Sequence, residues 1–424
     1  MRGNPTLIFL IFTLIIFAVD YYTFKGLKKI EINWSISFKK IWNTLFWSIP
    51  FVVLVALILL YLFREKVDPA YALIYFHYFS GFFLLIYIPK LVFILFNFID
   101  DIWHLGKVTT SKIKRGKTPE FEGEKITRNR FITRAGIITA GIPFLSLIYG
   151  IAWGKFNFIV RKTNIEFKNL PKFFNRFKIV QISDFHLGSF LNHKDKVEEI
   201  VQLVNNQNAD LILFTGDIVN NVSEEIDEFV PILLKLNARF GTYAILGNHD
   251  YGDYVKWSSE EKKKANLKRL IKIEEKIGFK VLLNSNEKIK IGDEFISLIG
   301  VENWGLPPFP QYGNLTKAMK DVEPESFKIL MTHDPTHWDA QVVKQTDINL
   351  TLSGHTHGAQ FGVEIPGWRW SPVNLRYKQW GGIYKNGRQV LNVNTGIGFI
   401  GFPGRIGMPP EISLITLLTK QQNY

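Results

Sequence analysis

The chain contains no cysteine among its 424 residues. Disulfide bonds and thiolate metal ligands are therefore excluded, and any bound metal must be held by His, Asp, Glu or Asn side chains. The sequence also lacks internal repeats, low-complexity tracts, and the basic helix or aromatic–basic platform of nucleic-acid-binding proteins. We therefore expect no nucleic-acid partner, and the net charge of +13 would suit an anionic membrane surface or a phosphorylated substrate.

Long apolar runs dominate the first part of the chain. They cover residues 7–19, 41–63, 71–99 and 135–153. Each is predicted to be a transmembrane helix, because four runs without a polar face cannot all be buried in one soluble domain of this size. The third run exceeds the roughly 20 residues that a crossing needs, and we expect Pro89 and Lys90 to kink it or to mark its interfacial end. Residues 1–155 are thus predicted to form an all-α membrane region with about four transmembrane helices.

Basic residues are concentrated in two of the three loops between these runs. The loop at 24–40 carries five lysines, and the loop at 104–134 carries nine lysines and arginines. The connection at 64–70 is short and of mixed charge. By the positive-inside rule the first and third loops are cytoplasmic. We therefore predict a multi-pass protein of the cell membrane whose residues after 153 lie on the extracytoplasmic side.

The rest of the chain combines helical and strand patterns. Residues 156–175 are predicted to be an irregular, basic connector. Helical periodicity is present at 194–205, 224–236, 260–276 and 336–344, and it alternates with more numerous short strands. Because the polar ends of these strands must converge, residues 176–424 are predicted to form an α/β domain of two packed sheets flanked by helices, with one site along their shared edge.

Five of the short apolar runs stop at acidic, amide or imidazole side chains. They lead into Asp184-Phe-His186, Gly216-Asp217, Gly247-Asn248-His249-Asp250, His333-Asp334 and Gly354-His355-Thr-His357. Divalent metals prefer these side chains as ligands. A carboxylate such as Asp217 could hold two ions about 3.5–4 Å apart, the spacing of two-metal phosphoryl-transfer sites. His249 follows a candidate ligand in a turn and could instead face a substrate oxygen, as a general acid must.

This ordered set of motifs resembles the calcineurin-like metallophosphoesterases. The continuation from Gly354 to Gln360 is most similar to their bacterial membrane-linked branch. The resemblance implies a four-layer αββα sandwich and two divalent metal ions (Mn, Fe or Zn). It implies that the first ion is held by Asp184, His186 and His357, the second by Asn248, His333 and His355, and both by Asp217. It also implies that a hydroxide between the ions attacks phosphorus while His249 protonates the leaving alkoxide.

One position departs from the protein-phosphatase branch of this family. Asn220 stands where that branch has an Asp, three residues after its Gly-Asp motif. Two alternatives remain for the group that orients His249, namely Asp250 or a backbone carbonyl. A phosphoprotein phosphatase is disfavoured for the same reason.

Several other residues have an expected place. Asp334 is expected to orient a metal ligand, and His193 and His337 are expected at the surface. Two roles remain open for Arg405 in the glycine-rich loop 396–407, a bidentate phosphate clamp or a structural ion pair. The aromatic segment 368–380 is expected in the core, with a lid or a membrane-facing patch as the alternatives.

The leading hypothesis is a membrane-anchored dimetal phosphoesterase whose substrate is a phosphate ester, lipid or lipid-linked. One alternative is a hydrolase that cuts the pyrophosphate of UDP-2,3-diacylglucosamine in lipid A synthesis, but that substrate is cytoplasmic, which conflicts with the predicted topology. A second alternative is an inactive membrane scaffold. Candidate ligands at every motif position argue against it.

Overall fold

The computed structural model describes residues 5–29, 34–63, 66–113, 122–343 and 345–420. Its internal contacts divide the chain into two compact units. The first, called the helical unit, comprises Met1–Lys66 and Tyr78–Tyr149, and the second, called the catalytic unit, comprises Val67–His77 and Gly150–Tyr424.

Four long helices occupy the N-terminal part of the chain. They are α1 (Pro5–Leu27), α2 (Ile36–Phe63), α3 (Pro69–Ile113) and α4 (Glu122–Ala152). Each contains a stretch long and apolar enough to cross a membrane, in agreement with the four predicted spans. Helix α3 continues through Pro89, so Pro89 and Lys90 do not end the helix, and the expected kink or interfacial end at these residues stays a prediction. Of the predicted basic loops, residues 30–33 and 114–121 lie outside the described residues, as do residues 64–65 of the mixed-charge connection.

A buried cluster of paired polar groups lies inside the helical unit. Asp20 of α1 is fully buried and forms an ion pair with Lys90 of α3. The hydroxyl of Tyr87, one helical turn earlier on α3, donates a 2.9 Å hydrogen bond to the same carboxylate. An ionised group among apolar helices is expensive unless it is paired. This cluster therefore links α1 to α3, and it explains why Lys90 does not mark a helix end.

The catalytic unit is built mainly of strands. The strands are β1 (Ile159–Phe167), β2 (Phe177–Ile182), β3 (Leu211–Phe214), β4 (Thr242–Ala244), β5 (Phe279–Val281), β6 (Ser285–Ile291), β7 (Glu294–Gly300), β8 (Phe327–Met331), β9 (Leu350–Ser353), β10 (Val363–Ile365), β11 (Trp368–Trp370), β12 (Gly382–Asn386), β13 (Gln389–Val393) and β14 (Glu411–Thr419). The α-helices are α5 (Lys194–Asn205), α6 (Val230–Leu233), α7 (Glu260–Lys276) and α8 (Leu315–Ala318). Helices α5 and α7 have the predicted bounds.

The strands form two six-stranded sheets with the orders β1-β14-β2-β3-β4-β5 and β12-β13-β9-β8-β7-β6. Apolar side chains from the facing sides of both sheets form a shared core, which includes Ile179 of β2 and Ile329 of β8. A second core lies between the first sheet and α5 and α7. A third packs α8 and a short π-helix at Trp338–Val342 against the other sheet. These layers form the predicted αββα sandwich.

Three segments differ from the prediction. Residues 156–175 are not irregular, because β1 lies within them and pairs in parallel with β14. The charged and polar residues of β1 suit a half-exposed edge strand, and they resemble a polar linker in the sequence. The helix expected at 224–236 is a 3₁₀ helix at Ser223–Phe229 followed by the single turn α6. The helix expected at 336–344 is the five-residue π-helix.

The aromatic segment 368–380 is only partly in the core. Tyr377 and Trp380 are buried with Met408. In contrast, Trp368 and Trp370 lie on a separate two-stranded hairpin, β10–β11, and both are exposed. The core expectation therefore holds for the end of the segment and fails for its beginning.

Candidate metal centre

The polar strand ends converge because the strands that carry them are parallel. Strands β2, β3 and β4 run parallel in the first sheet, and β8 and β9 run parallel in the second. Their carboxyl ends therefore meet at one edge of the sandwich. The two sheets are joined there by a bond from the backbone N–H of His355 to the Asp184 carboxylate, at 3.0 Å.

Five of the seven predicted ligands have left-handed backbone conformations. Their φ angles are 54° at Asp184, 50° at His186, 61° at Asp217, 73° at His355 and 51° at His357. Such angles are uncommon for residues other than glycine, and they cluster at functional sites. The backbone leaves each strand sharply at these points and turns the side chains toward one another.

The first group of candidate ligands consists of Asp184, His186 and His357. One ligand atom of each lies within 4.8 Å of the others, and all three residues are buried. His357 Nε2 is 3.1 Å from His186 Nε2 and 3.3 Å from Asp184 Oδ1. Ligand atoms that each bind one ion at about 2.1 Å in tetrahedral or octahedral geometry stand at about these separations. The group therefore fits a divalent metal ion.

The second group consists of Asp217, His333 and His355. His333 Nε2 is 3.1 Å from Asp217 Oδ2 and 3.3 Å from His355 Nδ1. The same Asp217 oxygen is 3.7 Å from His186 Nε2 of the first group. Asp217 thus lies between the two groups, where a bridging carboxylate is needed.

Asn248 lines the same cleft as Asp217 and His355. Its amide nitrogen donates a 2.8 Å hydrogen bond to the hydroxyl of Tyr254. Its buried Oδ1 has no hydrogen-bond partner among the described residues. A buried amide oxygen without a partner is costly, and a metal ion in the second group would satisfy it.

The second nitrogen of two candidate ligands is held from outside the site. His333 Nδ1 donates to the carbonyl oxygen of Thr215 at 2.7 Å. His355 Nε2 is 2.9 Å from the hydroxyl of Tyr377 and 3.5 Å from Asp334 Oδ2. Such contacts fix the tautomer and orientation of metal-binding imidazoles. Asp334 therefore lies where the sequence analysis expected it.

His249 is oriented by the backbone carbonyl of Asn220. Its Nδ1 donates to that oxygen at 2.6 Å, so that Nε2 is available to the cleft. Asp250 does not take this role, since its carboxylate accepts backbone N–H groups of Asp217 and Gly247, each at 2.8 Å. Of the two alternatives, the backbone carbonyl is the one found.

Burial and neighbouring charges set the protonation states of the cluster. Burial opposes ionisation of Asp184 and Asp217, but nearby imidazoles outweigh it and lower the pKa of both carboxyls. Burial lowers the pKa of His186 and His355, which favours neutral imidazoles. Burial also opposes protonation of His333, yet the Asp217 carboxylate raises its pKa to about 10. Ionised carboxylates and neutral imidazoles are the forms that bind metal, so a metal ion at the second group must displace the proton of His333.

Three residues lie elsewhere than expected. Arg405 is fully buried and donates to backbone carbonyls of its own loop, including Gly398 O at 2.6 Å, so it is neither a phosphate clamp nor bound to a carboxylate. His337 is buried, not at the surface, and bonds to Thr332 Oγ1 at 2.8 Å. His193 is half-buried against the ring of Phe156.

Four of the seven candidate ligands, Asp217, Asn248, His355 and His357, line a cleft of about 380 Å³. The lining residues that sequence reasoning did not assign to the site are Tyr254, Phe309, Thr356, Arg376, Tyr377 and Ile400. Burial raises the pKa of both tyrosines to about 12, so their hydroxyls stay protonated. Only the position of Tyr254, six residues after Asn248, could have indicated a role from the sequence.

Comparisons with known proteins agree with this geometry. Residues 2–155 match the family described as probable calcineurin-like phosphoesterase, transmembrane domain, and residues 177–359 match calcineurin-like phosphoesterase. The chain is 32% identical over 305 residues to "Uncharacterized metallophosphoesterase YkuE" of Bacillus subtilis, covering 69% of this chain and 98% of that protein. It is 27% identical over 335 residues to "Transmembrane protein with metallophosphoesterase domain" of Danio rerio, covering 77% of this chain and 70% of the relative.

Among solved structures, a dimetal phosphatase from Danio rerio matches with a TM-score of 0.31 and 11% identity, over 53% of this chain and 88% of that one. The family assignment rests on the sequence matches and on the site. The chain belongs to the calcineurin-like metallophosphoesterases, metal-dependent phosphoric ester hydrolases, and it carries the four-helix transmembrane domain of that group ahead of its catalytic domain.

Proposed function

We propose that this protein is a membrane-anchored dimetal phosphoesterase that hydrolyses the phosphate ester of a lipid or lipid-linked substrate. The observation that carries the proposal is the position of Asp217 between two buried ligand groups, in a chain with four helices apolar enough to cross a membrane. Anchoring by those helices keeps the site near bilayer substrates and raises their effective concentration.

The proposed ligands of the two ions are those of the sequence analysis. Asp184, His186 and His357 would hold the first ion, Asn248, His333 and His355 the second, and Asp217 both. When bound, such a pair of ions activates the attacking water and neutralises charge on the phosphoryl oxygens. His249 Nε2 faces the cleft, and in the imidazolium form it would deliver its Nε2 proton to the leaving oxygen, while the Nδ1 proton stays bonded to Asn220 O.

The lining of the cleft supports a substrate with both anionic and apolar parts. Phe309, Ile400 and the two tyrosines offer apolar surface, and Arg376 offers one exposed cation. The Arg376 guanidinium lies 5.3 Å from the ring of Phe309 and 5.6 Å from that of Tyr377. Stacking of this kind holds a guanidinium at the rim, where it can pair with an anionic headgroup.

The test is activity profiling of the full chain in lipid nanodiscs with Mn²⁺. Phosphomonoesters, phosphodiesters and lipid pyrophosphates would be compared, with chelator-treated protein and the Asp217→Asn variant as controls. We expect metal-dependent release of phosphate or headgroup from a lipid substrate, absent in both controls. Protein that binds two ions yet hydrolyses none of these esters would contradict the proposal and favour the inactive scaffold.

We further propose that the catalytic domain lies outside the cytoplasmic membrane. The support is the excess of basic residues in the first and third loops, with four spans placing both ends of the chain on the opposite side. A phosphatase reporter that is active only after export, fused after Lys162, should be active. An inactive reporter would place the site in the cytoplasm and favour UDP-2,3-diacylglucosamine as the substrate instead.

A further inference from the structure

The hairpin β10–β11 presents an apolar face that no other part of the described catalytic unit covers. Val363 pairs with Trp370 and Ile365 with Trp368, so these four side chains lie on one face. Each is between 41% and 54% exposed. Of the ten large apolar side chains exposed within residues 156–420, as far as these are described, five belong to this hairpin and the turn after it.

The opposite face of the hairpin is polar and is fixed to the domain. Glu364 accepts two hydrogen bonds from the guanidinium of Arg161 on β1, at 3.0 and 3.1 Å. Arg369, the partner of Glu364 across the hairpin, stacks on Trp380 at 4.6 Å. The hairpin is therefore held by its polar side, and its apolar side is directed outward by the same contacts.

This outward face continues into the rim of the cleft. A 3₁₀ turn at Pro372–Leu375 comes after the hairpin, and Leu375 is 89% exposed. The next two residues are Arg376, which lines the cleft, and Tyr377, whose hydroxyl lies 2.9 Å from the candidate ligand His355. Any surface that binds the hairpin is thus brought to the mouth of the metal site.

We propose that the hairpin and Leu375, together called the aromatic wedge, dock into the interfacial layer of a lipid bilayer. Trp is enriched at that layer because its ring is amphipathic. The segment 361–380 carries three cationic residues and one anionic residue, which suits an anionic lipid surface. Four helices of the same chain are apolar enough to cross a membrane, so the wedge would be tethered to a bilayer by its own chain. Isolated exposed apolar residues need no explanation, but a fixed cluster of five does.

This inference rests on the proposed function, because a docked site serves a phosphate that is presented at the membrane surface. Docking would place the cleft at headgroup level and let Arg376 meet the headgroup before the ester enters. It also predicts a split in activity. Replacement of wedge residues should slow hydrolysis of lipid substrates in vesicles and leave hydrolysis of a short water-soluble ester unchanged.

Because the chain has no cysteine, a single cysteine introduced in the wedge can be labelled alone, and the position of that label relative to the bilayer can be measured. Trp368→Cys and, separately, Leu375→Cys would be labelled with an environment-sensitive fluorophore in the full chain and reconstituted into phosphatidylglycerol-containing vesicles. The matched control is Leu234→Cys, at a residue that is 51% exposed immediately after α6. We expect lipids with a nitroxide in the acyl chain to quench both wedge labels but not the control. Unquenched wedge labels would overturn the inference, and disulfide capture of two chains at position 368 without quenching would assign the face to a second copy.

Activity separates failure of docking from failure of the proposed function. The double variant Ile365→Ser/Trp368→Ser should lose about tenfold in rate on a vesicle lipid, since two partly buried anchors are removed while the helical tether remains. Phe173→Ser/Leu234→Ser, which alters two exposed apolar residues elsewhere, should lose nothing. Quenched labels in an enzyme inactive on every lipid would support docking and refute the lipid substrate. Equal lipid hydrolysis by both double variants would refute docking and retain the substrate.

Discussion

Replacement of His249 tests the chemistry of the site without removing a proposed metal ligand. Two hydrogen bonds fix His249. Its backbone N–H donates to Asp217 Oδ1 at 2.8 Å, and its imidazole Nδ1 donates to Asn220 O at 2.6 Å. The side chain therefore has one orientation in which to deliver a proton. General acid catalysis contributes about 10²–10⁴ in rate, equivalent to about 3–5 kcal/mol of transition-state stabilisation. His249→Ala should lose this factor on alkyl phosphate esters.

The loss should depend on the leaving group. An alkoxide leaves only when it is protonated, whereas nitrophenolate is stable without a proton, so the effect on a nitrophenyl ester should be less than about tenfold. The assay is kcat/KM for an alkyl and a nitrophenyl ester that share the same non-leaving part, with metal content measured on the same samples. His193→Ala is the matched control, because that imidazole packs on Phe156 and does not line the cleft.

Three results would refute the reasoning. Equal losses on both esters would show that His249 does not protonate the leaving group. A loss of bound metal in His249→Ala would show that the residue belongs to the ligand set. Full activity on the alkyl ester would exclude both roles.

Three further variants test other parts of the catalytic unit. Asp217→Asn should abolish turnover and lower the content of both ions, because among the described residues only this carboxylate lies between the two ligand groups. Elemental analysis measures the ion content, and an active variant with two tightly bound ions would refute the bridging role. Tyr254→Phe should weaken one ion about tenfold in a competition with a chelator, because Asn248 loses the acceptor that orients its amide, and unchanged affinity would show that the contact is incidental. Glu274→Gln should stabilise the protein, because Glu274 is fully buried and its carboxyl oxygens have no hydrogen-bond partner among the described residues. Burial, and secondarily the charge of Asp250, raises the pKa of Glu274 well above the ordinary 4.5, so folding favours the neutral carboxyl. The native chain is therefore most stable with respect to this group below about pH 4.5. Above that pH it loses about 1.4 kcal/mol of stability per pH unit until the folded pKa is reached. The thermal midpoint of Glu274→Gln should therefore exceed that of the native chain by a margin that grows as the pH rises above about 4.5, and a difference independent of pH would contradict this.

The candidate site was predictable from sequence because its parts obey a simple rule. Each ligand comes directly after a short apolar strand, and parallel strands place the residues at their carboxyl ends along one edge of the sheet. The run ending at Phe214 before Asp217 and the run ending at Met331 before His333 needed no knowledge of which strands are neighbours. The motifs indicate the order of the candidate ligands along the chain, and the parallel strands bring these ligands together at one edge of the sandwich.

Contacts between distant segments were not predictable in this way. Strand β1 pairs with β14 at the far end of the chain, and nothing in its charged and polar residues indicates a partner. The carbonyl that orients His249 belongs to Asn220. The sequence showed only that the side chain of Asn220 replaces a carboxylate, and it did not show that the backbone of this residue takes the orienting role. Tyr377 reaches His355 only because residues 361–377 fold back through the hairpin. His337 is buried because Thr332 and Gln341 satisfy both of its nitrogens, which no local pattern shows.

The left-handed backbone at five candidate ligands shows what the scaffold contributes to the site. Each such residue costs about 1–2 kcal/mol relative to an ordinary conformation, so together they approach the whole free energy of unfolding of a typical domain. Glycine would relieve the strain but would remove the ligand. The conformations persist because neighbouring strands fix them: the N–H of Asp184 bonds to Gly216 O at 2.9 Å, and that of His186 to Asp217 O at 3.1 Å. Ions that bind only the folded chain would offset part of this cost.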